Sequence, residues 1–287
     1  MLAVLHCPNT GIIPMDEEIV AIFCLCDDYL RSRRRREDAQ RRMSDAEVMT
    51  TALVAARYFG GNVEHARRML NAPLYIPDML SKSRLNRRIH ALESSFLALF
   101  QDLGEGRKHD DHGSGYVIDT FPIPVCDNIR IRRCRLYQEE MYRGYTASKR
   151  RFFYGLKAHL MVTTDGHPIE CFLTPGSVAD VAMLPFFTMD LPAGSHVYAD
   201  KAYNDYREED LLLEAADIHL CPARKKNSLR AVPPYAVYWR ELMRKRVETA
   251  IGQIQLLFPK SIHAVTPEGF ELKVFLFVLA YSVAKAM

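Results

Sequence analysis

The spacing of apolar residues along this chain changes character near residue 115. Before that point the pattern is helical. Residues 16–36 open on acids (DEEIV) and close on RSRRRR, charges that suit the two ends of a helix macrodipole. Ser44-Asp45-Ala46-Glu47 reads as a capping box, and the helix behind it, VMTTALVAARYF, stops at Gly60-Gly61. A short helix near 62–71 is closed by Pro73, and a longer one is expected from about Ser83 to Leu103. The polar, glycine-rich GEGRKHDDHGSG follows and reads as a boundary between regions.

After the boundary, strand-like runs take over. YVID is a short apolar run. In FFYGLKAHLMVTT, Leu156, Ala158, Leu160 and Val162 alternate with Lys157, His159 and Met161, and IECFLT alternates again. Asp165-Gly166-His167-Pro168 between them reads as a hairpin turn. The remainder predicts a helix in SVADVAMLPFF, a strand in SHVYAD, a helix from Asn204 or Asp205, a strand in IHLCPA and a long helix over about 235–258. FELKVFLFVLAYSVAKAM is the longest apolar stretch. Its uninterrupted part after Lys273 is too short to span a bilayer, so it predicts a buried helix with Thr266 as N-cap and Pro267 at the first helical position. Strands with a hairpin, then alternating helix and strand, then helices, predict a mixed α/β layout around a central sheet.

Composition changes the picture little, because 48% hydrophobic and 25% charged residues are ordinary for a globular chain. The distribution of charge says more than the net value of +3. Residues 129–151 hold eight Lys/Arg against two Glu, and 224–230 and 240–246 are also basic, a pattern that suits a polyanion surface. Arg130, Arg132, Arg133, Arg135, Lys149, Arg150 and Arg151, interleaved with Tyr137, Tyr142 and Tyr145, are the main candidates for DNA-backbone and stacking contacts. Lys157, Lys201, Arg224, Lys225 and Lys226 join them. Arg33–Arg36 and Arg41–Arg42 add basic clusters in the helical N-terminal region. Seven cysteines without a C-x-x-C pair or a secretory signal predict reduced thiols in the cytoplasm, and a DNA-binding role would put the chain at the nucleoid. Cys126 and Cys134 flank the basic stretch, but no ligand spacing supports zinc there.

Three acids carry the candidate chemistry. Asp119 follows the apolar run YVI as Asp200 follows VYA, so neighbouring strands would set the two side by side. Glu248 borders the apolar face of the 235–258 helix, with Arg244 one turn earlier. Converging carboxylates repel unless cations neutralise them, and Mg²⁺ or Mn²⁺ with oxygen ligands is the usual solution. Plainer roles exist for each: a turn-capping Asp119, a solvated Asp200, a Glu248 paired with Arg244. Asp180, in GSVAD, competes with Asp200 for the second acid, its plainer role being an N-cap; His159 is read as outward-facing or hydrogen-bonded rather than a ligand.

From about Met43 to its end the chain resembles bacterial insertion-sequence transposases of the Asp-Asp-Glu type. The resemblance rests on YVIDTFPIPVC, FFYGLKAHLMVTTDGHPIE, FLTPGSVADVAMLP, YADKAYND and RKRVETAIGQIQ. It implies a ribonuclease-H-like mixed sheet flanked by helices, preceded by an all-helical N-terminal region. The expected division is 1–104 for DNA-end binding, a linker at 105–115, and 116–287 for catalysis. It further implies Asp119, Asp200 and Glu248 as catalytic acids holding two Mg²⁺ (or Mn²⁺) ions, and Arg244 as the arginine of the family's Tyr, Arg, Glu and Lys signature. Glu241 and Gln255 stand where that signature has Tyr and Lys. The expected partner is double-stranded DNA, both element ends and target, bound by a homodimer or larger assembly. The implied reaction is hydrolysis followed by joining of 3′-hydroxyl ends. A nuclease of the same fold without strand transfer, and a non-catalytic DNA-binding protein, are the alternatives.

Overall fold

The computed structural model describes residues 14–34, 40–110, 115–146, 150–224, 228–230 and 232–287. Five helices come first: α1 (Met15–Ser32), α2 (Asp45–Tyr58), α3 (Val63–Leu70), α4 (Lys82–Ala91) and α5 (Glu93–Asp110). The capping box that starts α2 is complete, with Ser44 Oγ accepting the Glu47 N–H and Glu47 accepting the Ser44 N–H. Gly60 and Gly61 end that helix with positive φ of 54° and 75°, which a side chain would resist.

The expected single helix over Ser83–Leu103 is two helices that meet at Leu92. Leu85, Ile89, Leu92, Phe96 and Leu99 are all buried, so the apolar period runs through the break and conceals it. The second of these helices continues to Asp110, well into the stretch read as a boundary.

The sheet contains β1 (Gly115–Pro124), β2 (Arg143–Thr146), β3 (Arg151–Thr163), β4 (Pro168–Pro175), β5 (His196–Ala199) and β6 (His219–Pro222), with α6 (Tyr206–Ala216) between the last two. Antiparallel pairing joins β1 to β3 and β3 to both β2 and β4, whereas β1, β5 and β6 pair in parallel. This mixed sheet, flanked by helices and preceded by a helical region, is of the ribonuclease-H-like kind. Two helices complete the described chain: α7 (Pro234–Leu257) and α8 (Pro267–Ala286), the latter capped by Thr266 as expected.

Two sequence expectations need correction here, and one strand, β2, has no counterpart among them. β1 does not end at Asp119 but runs on through Phe121-Pro122-Ile123-Pro124. Proline is tolerated there because β1 pairs with β5 only as far as Val117, which leaves the later edge free of a ladder that needs the N–H. SVADVAMLPFF forms only a 3₁₀ turn, Asp180–Phe186, since Pro185 lacks the N–H that would extend it. β2 lies in a basic stretch whose charge masked any alternation.

Each face of the sheet has its own core. Val117, Phe121 and Ile123 of β1 and Leu156, Ala158, Leu160 and Val162 of β3 face the helices α1 to α5, α7 and α8. Tyr116, Ile118, Met161, Val197 and Ala199 face the other way, toward the 180–191 segment and α6. The first core runs unbroken from Ile19 to Val283, so the N-terminal helices and the sheet share it. Among the described residues no helix is long and apolar enough to cross a membrane.

Candidate active site

Strand register sets the two aspartates. In the parallel pair β1–β5, Tyr116 lies opposite Val197 and Val117 opposite Tyr198. Continuing that register by two residues puts Asp119 opposite Asp200. Asp119 alternates with Val117 and Phe121, so it stands on the face that α7 covers. Each carboxylate also accepts the next backbone N–H: Thr120 to Asp119 Oδ1 at 2.8 Å, and Lys201 to Asp200 Oδ1 at 2.7 Å. The second contact caps the 3₁₀ turn Lys201–Tyr203, which ends β5 at Ala199.

From α7, Arg244 reaches both acids that flank it. Its Nη1 lies 3.4 Å from Asp200 Oδ1, and its Nη2 donates to Glu248 Oε1 at 3.3 Å. Val247, Ile251 and Ile254 anchor that helix in the core while the Glu248 side chain stays exposed. Burial pushes the Asp119 carboxyl up to about 6; the Thr120 N–H and the Arg244 cation pull it down, and the charges of Asp200 and Asp180 push it up again. Among the described residues, no three His, Cys, Asp or Glu side chains are grouped to hold a metal ion. Arg244 supplies the positive charge between Asp200 and Glu248.

The other candidates separate into engaged and free groups. Asp180 is no N-cap, since Ala179 holds that position; its carboxylate pairs with Lys157 Nζ at 2.9 Å, and the same ammonium donates to the Val178 carbonyl at 2.8 Å. Lys157 is therefore an internal ion pair rather than an open cation. His159 is fully buried, not outward-facing, with Nε2 2.8 Å from Thr174 Oγ1 and its ring stacked on Phe172 at 4.8 Å. Tyr203 is buried with its hydroxyl unpartnered, and Lys201 is exposed. Arg224 is clamped by Glu209 at 2.5 and 2.7 Å.

By contrast, Arg130, Arg132, Arg133, Arg135, Arg150 and Arg151 are exposed. None of them has a carboxylate partner among the described residues. Lys149, Lys225 and Lys226 lie outside the described residues, as do Arg35 and Arg36. Tyr137, expected on a stacking surface, is buried and donates to Glu271 at 2.9 Å. Tyr145 is open and packs against Phe152, over which Arg143 lies at 4.3 Å. Phe152 escaped the sequence reading because it looked like the interior start of a strand; its exposure depends on where β3 leaves the sheet. In the N-terminal region Arg33, Arg41 and Arg42 pair with Asp102, Asp45 and Asp78.

A ribonuclease-H-like sheet thus carries two aspartates in line on adjacent strands, and the helix that crosses it carries a glutamate and an arginine beside them. Residues 110–258 match the family model described as the transposase DDE domain. That match spans just over half of the chain, from before β1 to the end of α7, and the chain belongs to this family of transposases. No curated protein and no solved structure matches it.

Proposed function

We propose that this chain is a DNA transposase whose reacting centre is formed by Asp119, Asp200 and Glu248. It binds the terminal inverted repeats of its element, hydrolyses phosphodiester bonds there to free 3′-hydroxyls, and joins those ends to target DNA. The observation that carries the reading is the shared register of Asp119 and Asp200 under α7, within the stretch that matches the transposase domain. Support from a sheet suits acids that must be held in a fixed geometry for phosphoryl transfer.

The donor set suits Mg²⁺ or Mn²⁺, because every side chain is a carboxylate and hard cations take oxygen ligands. Asp119 supports that fit: a half-buried carboxyl pushed up to about 6 by burial and by two like charges is one that added positive charge would relieve. Asp119, Asp200 and Glu248 would hold two such ions. The chemistry that such ions would supply there is activation of a water or 3′-hydroxyl and stabilisation of the leaving oxygen. Arg244, which pairs with Asp200 and Glu248, would take a phosphate oxygen of bound DNA, and the exposed arginines of 130–135 and 150–151 would hold the DNA backbone. Pairing two element ends calls for at least a dimer on DNA.

Asp119→Asn, Asp200→Asn and Glu248→Gln should each lower Mg²⁺-dependent nicking of an end-bearing duplex by roughly 10³-fold or more. Duplex affinity should persist in all three variants. Nicking that survives all three substitutions would sink the assignment of these acids. A precut 3′ end tests joining separately, and wild-type cleavage without joining would identify a nuclease instead.

A further inference from the structure

β1 and α7 both lead away from the acids toward one groove. Pro122, Ile123 and Pro124, just beyond Asp119 on β1, line it, and so does Gln255, two helical turns or about 10 Å beyond Glu248. The groove encloses about 1440 Å³, and the α2–α3 turn and the start of α4, both in the N-terminal helical region, also line it. Lys82, Arg130, Arg151 and Lys260 line it from four separate segments, and all four are exposed.

What sets these cations apart from Arg132, Arg133 and Arg135, which are equally exposed and unpaired among the described residues, is that four separate chain segments bring them to one groove. Elsewhere the half-buried arginines are spoken for: Arg57 by Glu18, Arg88 by Asp45, Arg224 by Glu209. None of the four groove cations has a carboxylate partner among the described residues. Of the two acids on the lining, Glu64 is neutralised by Arg67 and Arg68, which leaves Asp127 alone against the four exposed cations and Lys273, whose ammonium donates to the His263 carbonyl. Cations gathered around one groove without counter-charge repel one another, a cost that a polyanion seated among them removes.

We infer that this groove seats the sugar–phosphate backbone of the DNA strand that runs on from the scissile phosphate, so that α4 and the sheet clamp one strand together. The inference rests on the transposase reading above and adds Lys82 and Lys260 as backbone contacts. Phe152 also lines the groove, half exposed, with Arg143 over its ring and Tyr145 packed against it, an aromatic and cationic cluster that suits contact with sugars or bases.

The test uses the full chain and a fluorescein-labelled 40-base-pair duplex of mixed sequence, followed by anisotropy over a series of salt concentrations. The K82E/K260E double variant should bind at least about 10-fold more weakly. Its log-affinity against log-salt slope should be shallower by about 1 to 2, as expected for one or two lost phosphate contacts. Arg207→Glu, on the exposed side of α6, should bind as the wild type does. A carboxylate at residue 82 sits in the first turn of α4, where it favours the helix, so weaker binding would not reflect a melted element. Affinity and salt slope equal to wild type in K82E/K260E would overturn the groove while leaving Mg²⁺-dependent cleavage, and so the reading of the acids, intact. Weakened binding in a protein that never cleaves would keep the groove and remove the transposase chemistry.

Discussion

His159 has lost all contact with water and retains one hydrogen bond, to Thr174, while its Nδ1 has no partner. Burial pushes its pKa down from 6.5 to about 4. The unfolded chain takes up a proton near 6.5, whereas the native ring refuses it until about 4. The folded state therefore loses stability as the pH falls from 6.5 through 4, by about 2 kcal/mol between pH 7 and pH 5. Urea unfolding at those two pH values should show that loss in the wild type. His159→Gln, which keeps a neutral donor and acceptor, should lack it; an equal loss in both proteins would contradict the assignment. Residue type and alternation placed His159 on a strand, but its depth depends on the 180–191 segment that covers that face.

At the scale of elements, the start of β3 depends on one glycine. Gly155 has φ of 150°, and a Cβ there would lie 2.2 Å from the Ile123 carbonyl oxygen on β1. The clash is with backbone, so it cannot be relieved by a rotamer. Gly155→Ala should cost about 3 kcal/mol or more, read as a lower denaturant midpoint. Gly252, inside α7, gives the opposite result: a Cβ there meets nothing within 4 Å. Gly252→Ala should stabilise by about 0.5–1 kcal/mol through helix propensity. A strand read from YGLKAH contains the same glycine as a break in pattern, without saying that β1 passes close by. The helix caps are different, since Ser44, Asp205 and Thr266 act on N–H groups two or three residues away, and the sequence marks all three.

At the scale of the molecule, α8 is the keystone of the larger core. Phe277 packs against Phe258 at 4.8 Å and lies directly under Gly61, which ties the end of α7 and the α2–α3 turn to one side chain. Phe277→Ala should cost about 3–5 kcal/mol. Because that core joins the N-terminal helices to the sheet, unfolding should be a single transition. The fluorescence of Trp239, the one tryptophan, and far-UV circular dichroism should then give the same midpoint. Two separated transitions would show that the helical region and the sheet unfold independently.

What the sequence determined by itself was whatever depends on near neighbours in the chain. Caps, turns, the alternation of β3 and the apolar length of α8 are local, and so is the placing of Glu248 one turn after Arg244. The residues around Asp119, Asp200 and Glu248 likewise carry the resemblance to the transposase family. Only the tertiary structure decided what depends on distant segments. Pro122 and Pro124 continue a strand because β5 has already ended beside it; Leu92 breaks a helix whose apolar period does not falter. Asp119 and Asp200 are aligned by a parallel register that no run of residues encodes alone. Charge behaves in the same way. Arg224 and Lys157 look as open as Arg130 and Arg151 in the sequence, yet folding brings Glu209 and Asp180 onto the first pair and leaves the second pair bare. Counter-charges act through space rather than along the chain.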